Sequence, residues 1–188
     1  MEEEVLTEEV EPSTRGAESG GPETGKGFAV AYAFVNRRER TVAEVRVRLE
    51  RVGVVEGEID AVIAELLEFG YLDDARYARV FTEDKRTLEA WGNERIARTL
   101  RERGVERELI EVTLAEARGG DGLGADGAPG VEDDGELERA VALLGQRFPS
   151  GPVAERDRER AFGVLARKGY ESETAADAVR EWARRTTV

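Results

Sequence analysis

The sequence predicts an all-α protein of nine helices in three groups of three, and three observations carry that prediction. A Leu is followed four residues later by a Gly that closes one helix and opens the next, at Leu49…Gly53-Val54, Leu100…Gly104-Val105 and Leu165…Gly169-Tyr170. An apolar residue stands ten positions beyond each Gly, at Ile63, Leu114 and Val179, and Ile59, Ile110 and Ala175 stand six beyond. The composition is 40% apolar and 37% charged with only 6% aromatic residues, which suits helices burying one stripe each and gives little to fill a large sheet core. Helix–Gly–helix units in series mark a helical repeat protein, in which each unit hides its stripe partly against its neighbour.

Taken in order, residues 1–27 mix eight acidic and two basic groups with Gly, Ser, Thr and Pro. That composition cannot bury enough apolar surface to offset its ordering entropy, and predicts a disordered acidic N-terminal segment. The first three-helix repeat spans 28–72, beginning with the apolar run Phe28–Val35. Its second helix opens at the capping box Thr41-x-x-Glu44, behind which Val42, Val45, Leu49 and Val52 recur at helical spacing. Its third presents Ile59, Val62, Ile63, Leu66 and Phe69, then stops at Gly70, a natural left-handed C-terminal residue.

The second repeat, 73–117, opens with Asp73 as N-cap, and Leu72 and Tyr77 stand where a hydrophobic staple joins N′ to N4. Ala78 and Phe81 extend that face. Gly92-Asn93 opens a helix through Ile96 and Leu100, and another follows through Leu109, Ile110, Thr113 and Leu114. Residues 118–136 hold six acids against one base among many glycines and read as a flexible acidic Gly-rich linker. This linker accounts for the uneven repeat spacing, 51 residues from Gly53 to Gly104 but 65 from Gly104 to Gly169. It also predicts a loosened third unit. The third repeat, 137–188, holds a helix over Leu137–Phe148, one ending at Lys168, and one through Ala175, Val179 and Trp182 capped by Ser172.

The net charge of −13 is unevenly placed, because the two acidic segments hold most of the surplus. The folded repeats are close to neutral and can present basic patches. The longest uncharged apolar run is eight residues, far short of the ~18 that span a bilayer. Glu2, Glu3 and Glu4 are the opposite of a secretory leader's basic start. A cytoplasmic protein without a membrane partner is expected, and a monomer.

Catalytic chemistry has little to stand on. With no His and no Cys there is no His-based triad, no Cys–His pair and no ordinary zinc site. Asp73 and Asp74 diverge by about 100° on a helix, so they do not jointly face one metal, and helix capping accounts for them. Gly122-Leu-Gly124-Ala-Asp-Gly127 matches GxGxxG literally but lacks the preceding strand and following apolar helix that a nucleotide site needs. No enzyme, cofactor or metal is expected.

Arginine remains, with 25 Arg against three Lys. Candidate clusters are Arg46, Arg48 and Arg51 on the second helix, Arg76, Arg79, Lys85 and Arg86 on the fourth, and Arg95, Arg98, Arg101 and Arg103 on the fifth. The spacing of three sets Arg95, Arg98 and Arg101 along one side of their helix. They read either as a solvated face interleaved with Glu94 and Glu102, or as a patch for phosphates or a partner's acidic groups. Tyr71 and Tyr77 read either as platforms for bases or, in preference, as core packing beside Gly70.

The stretch Gly70-Tyr71-Leu72-Asp73-Asp74-Ala75-Arg76-Tyr77-Ala78, with Phe81, strongly resembles the signature of the RecX family of bacterial recombination regulators. Flanking pieces agree, with Arg40-Thr41-x-x-Glu44-x-Arg46-x-x-Leu49 before it and Gly92-x-x-Arg95-Ile96-x-x-x-Leu100-x-x-x-Gly104-Val105 after it. Ala161-Phe162-x-x-Leu165-Ala166-Arg167-Lys168-Gly169-Tyr170 resembles the family's C-terminal repeat. The resemblance covers about 28–117 and 137–185; the acidic segments fall outside it. It implies three tandem three-helix repeats in an elongated, curved array, and a non-catalytic role in modulating the RecA recombinase filament. Single-stranded DNA would then be met mainly through that filament. A direct DNA-binding protein built from helix-turn-helix-like units is the competing reading, and a generic helical adaptor a third.

Overall fold

Each Leu…Gly signal is a helix end of the same construction. The amide of the residue after the glycine donates to the carbonyl of the Leu five back, for Val54 to Leu49 (3.1 Å), Val105 to Leu100 (3.1 Å) and Tyr170 to Leu165 (3.2 Å). This Schellman closure needs a left-handed residue, and Gly53, Gly104 and Gly169 supply it with φ of 82°, 78° and 84°. Gly70 ends its helix likewise, with Tyr71 donating to the Leu66 carbonyl at 2.8 Å.

The structure, a computed structural model, describes residues 24–119, 134–152 and 154–186. Among the described residues there are nine α-helices and no strand. They are α1 Thr24–Val35, α2 Val42–Arg51, α3 Glu56–Glu68, α4 Asp74–Thr87, α5 Asn93–Glu102, α6 Arg107–Gly119, α7 Asp134–Arg147, α8 Glu155–Lys168 and α9 Ser172–Thr186. They pack as three trihelical units, each with its own core. Val45, Leu49, Ile59, Val62, Leu66 and Leu72 fill the first. Tyr77, Phe81, Ile96, Leu100, Val105 and Ile110 fill the second. Ala140, Leu144, Leu165, Tyr170, Val179 and Trp182 fill the third.

Several details differ from the sequence reading, each for a local reason. Val52 and Phe69, placed on apolar stripes by spacing, are the C-cap residues of α2 and α3 and stand 42% and 63% exposed. Leu72 closes the first core while Tyr77 belongs to the second, so the two positions expected to form a staple are buried in different cores. Ser172 is the first helical residue of α9, with Glu171 accepting the Ala175 amide from the preceding position. The first helix begins at Thr24, inside the expected acidic segment. Residues 118–119 and 134–136, assigned by composition to the linker, are helical. The intervening GxGxxG match, like most of 1–27, lies outside the described residues.

The units join end to end through their middle helices. At the first junction the N-terminus of α2 meets the C-terminus of α5. Thr41 accepts the Glu44 amide at 3.1 Å, completing the capping box, and its hydroxyl also donates to the Arg103 carbonyl at 2.6 Å. Asp74, the first residue of α4, accepts the amide of Val42, the first residue of α2, at 3.0 Å. At the second junction the N-terminus of α5 meets the C-terminus of α8. Gly92 donates to the Lys168 carbonyl at 2.9 Å, and Lys168 Nζ donates to the Glu89 carbonyl at 2.6 Å. Here Glu136 of α7 accepts the amide of Asn93, the first residue of α5, at 2.7 Å. A carboxylate from the first helix of one unit thus caps the middle helix of the unit before it, twice. The oppositely signed helix ends attract in this arrangement.

Candidate partner-binding surface

The second junction is a buried polar cluster. Asn93 is 6% and Glu136 2% exposed, and Glu136 also accepts from the Asn93 side-chain amide. Asn93 Oδ1 in turn accepts from Arg86 at 2.7 Å, and Arg86 donates to the Ala117 carbonyl at the end of α6 at 2.8 Å. This network overturns the expectation of a loosened third repeat, because docking is set by what the helix ends touch and not by the length of chain between them. Sequence reasoning missed Glu136, which stood in an acidic, Gly-rich run and carried no signal of burial.

The expected arginines divide into two kinds. Arg95, expected in a surface stripe, is half-buried, with its guanidinium 3.9 Å from the centre of the Trp91 ring and donating to the Arg167 carbonyl at 3.1 Å. Arg76 sits over the first junction, 3.3 Å from Glu39 and donating to the Gly70 carbonyl at 3.4 Å. Arg79, Arg98 and Arg101 are exposed and make no ion pair or side-chain hydrogen bond among the described residues. The helix separates Arg95 from Arg98 and Arg101 because Arg95 stands in the first turn, where the C-terminus of α8 covers it.

The acids and aromatics of the central motif are structural. Asp73 caps α4, accepting the Arg76 amide at 2.8 Å. Burial raises the Asp74 carboxyl above its ordinary value, against the lowering effect of the Val42 amide. Tyr77 is buried, with its hydroxyl accepting from Arg103, whose guanidinium lies 5.0 Å from the Phe81 ring centre. Tyr71 departs from the core packing expected of it. It is 41% exposed and meets Tyr32 edge-on at 5.1 Å, because Gly70 turns the chain outward before Leu72 re-enters the core. Gly104 leaves room for a neighbour, since a Cβ there would overlap the Ala43 methyl.

A second cationic surface lies between the first two units. An open groove of about 900 Å3 runs between α1, α2 and the C-terminal end of α5, with an apolar floor that includes Val30, Ala33, Phe34 and Val47. Lys26, Arg37, Arg48, Arg51 and Arg101 line it. Arg46, on the same helix as Arg48 and Arg51, turns away to pair with Glu56 and Asp60 at 2.6 and 2.5 Å. Lys26 and Arg37 flank an apolar run, and nothing in their local spacing pointed to a shared site. Among the described residues no cluster of acids could hold a metal ion, and no helix is long and apolar enough to cross a membrane.

Comparison with known proteins places this architecture. The chain is 31% identical over 173 residues to the regulatory protein RecX of Deinococcus radiodurans, covering 92% of this chain and 76% of that one. The chain belongs to the RecX family. The regulatory protein RecX of Trichlorobacter lovleyi is likewise 31% identical, over 149 residues, covering 78% of this chain and 88% of that one. The family models for the first and second RecX three-helix domains match residues 28–66 and 73–114. In fold, the chain is similar to a crystal structure of RecX from Lactobacillus salivarius, with a TM-score of 0.68 at 19% identity, covering 85% of this chain and 96% of that one.

Proposed function

We propose that this protein binds the RecA nucleoprotein filament and modulates it, mainly by inhibiting recombinase and co-protease activity. The observation that carries the reading is kinship with RecX regulatory proteins across nearly the whole chain. The shape of the molecule is in keeping with it. Three units joined end to end offer a long surface to a long partner, and Arg79, Arg98 and Arg101 on that surface are left without an ion-pair partner among the described residues.

In this reading Arg98 and Arg101, three apart on α5, touch the partner, with Arg79 as a further contact. Guanidinium groups suit both carboxylates and phosphates. Arg76 and Arg95 act at one remove, by holding the junctions on which the surface depends. Single-stranded DNA is met chiefly through the filament. The reading is tested by DNA-dependent ATP hydrolysis of the cognate RecA with this protein added. Hydrolysis falling at sub-stoichiometric amounts supports it, and hydrolysis unchanged at stoichiometric amounts of folded protein overturns it. Tight, steeply salt-dependent binding to bare DNA would instead favour direct DNA binding as the primary activity.

A further inference from the structure

The groove between the first two units has an apolar floor and a rim of cations that the rest of the described protein does not neutralise. Lys26, Arg37, Arg48, Arg51 and Arg101 make no ion pair or side-chain hydrogen bond among the described residues. Of the two acids lining the groove, Glu44 is taken by Arg38 at 2.8 Å, leaving Glu102 alone against these five cations and Arg103, whose guanidinium donates to the Tyr77 hydroxyl. Val47 is 50% exposed on the floor. Five like charges around an uncovered apolar strip call for an occupant that is acidic and carries a few apolar side chains.

The chain itself contains such a segment. Residues 2–11, EEEVLTEEVE, hold Glu2, Glu3, Glu4, Glu8, Glu9 and Glu11 around Val5, Leu6 and Val10, with no basic residue. Twelve residues, 12–23, connect it to the start of α1, which forms one wall of the groove. At about 3.3–3.6 Å per residue such a connection reaches ~40 Å. The walls are much shorter, since α1 and α2 are 12 and 10 residues long, roughly 18 and 15 Å. A short tether gives an effective concentration on the order of millimolar, so even a weak charge-matched contact is populated.

We infer that residues 2–11 dock in the groove between α1, α2 and the end of α5 and cover its arginines, as a built-in acidic competitor for any anionic partner. The inference stands apart from the RecA reading, and its test contains no recombinase. The chain has no cysteine, so Val5→Cys gives a single attachment point for a spin label. Paramagnetic broadening of backbone amides is then read on the full-length 15N-labelled protein. The expected result is selective loss of signal at Val30, Ala33 and Val47, reversed in about 1 M salt, where the Debye length is ~3 Å. Loss should also be reversed by Arg48→Glu with Arg51→Glu, and by replacing the six glutamates of 2–11 with Gln.

Signals at Val30, Ala33 and Val47 no weaker than those of the third unit would overturn the inference. So would broadening that survives the Gln replacement. Broadening that appears only between separate spin-labelled and 15N-labelled molecules would also overturn it, assigning the groove to a second copy.

Discussion

At the scale of single residues, the three equivalent glycines make a controlled comparison. All have φ near 80°, so replacing any of them with Ala forces a Cβ into the left-handed region at roughly 1–2 kcal/mol. At Gly53 the added Cβ meets nothing within 4 Å, whereas at Gly104 it overlaps Ala43. Overpacking there adds a further ~1–3 kcal/mol. Urea unfolding should therefore rank Gly104→Ala as clearly more destabilising than Gly53→Ala, and equal losses would mean that the first junction is not as close as described. Tyr170 makes a second test. It is 2% exposed, its hydroxyl has no hydrogen-bond partner among the described residues, and burial pushes its pKa up from 10.0 to about 12, with Arg139 pulling the other way. The folded phenol thus holds its proton after the unfolded one has lost it. Its contribution to stability is complete below pH 10.0 and is lost as pH rises through about 12. Tyr170→Phe should be neutral or up to ~1 kcal/mol more stable at pH 7, and its stability should fall less steeply than that of the wild type above pH 10. Parallel curves would contradict the burial of a protonated phenol.

At the scale of elements, periodicity and helix ends made the secondary structure readable. The Gly signals, the Thr41 capping box and the Asp73 cap are local chemistry, fixed by residues within one turn, and each forms as its sequence indicates. Contacts between elements were far less readable. Asp74 and Glu136 cap helices of the preceding unit, 32 and 43 residues away in sequence, and no local pattern marks them for it. The same holds for Arg95, whose spacing matches that of Arg98 and Arg101 until the end of α8 is laid against it. The Glu136 contact is open to direct test. Glu136→Ala removes at least the two hydrogen bonds that Asn93 donates to a buried carboxylate, each worth ~1.5–3 kcal/mol. We expect about 3 kcal/mol or more of destabilisation, with faster amide exchange concentrated in α7, α8 and α9. A change under ~0.5 kcal/mol would show that the third unit docks by other means.

At the scale of the whole molecule, kinship and fold agree on the RecX family, while the proposed partner-facing surface rests on how charge is distributed over three linked units. Net charge alone misleads here, since −13 describes a chain whose folded body carries arginines with no ion-pair partner among the described residues. If Arg98 and Arg101 contact the filament and Arg95 serves the junction, charge reversal separates the two roles. Arg98→Glu with Arg101→Glu should leave thermal unfolding unchanged and weaken partner binding about tenfold or more. Arg95→Glu should lower the unfolding temperature as well. The most direct measurement is strand exchange by the cognate RecA, titrated with the wild-type protein and with the Arg98→Glu, Arg101→Glu double variant. The account predicts that the wild type suppresses exchange at sub-stoichiometric amounts and that the folded double variant needs at least about ten times more. Strand exchange that proceeds undiminished in the presence of stoichiometric, folded wild-type protein would contradict it.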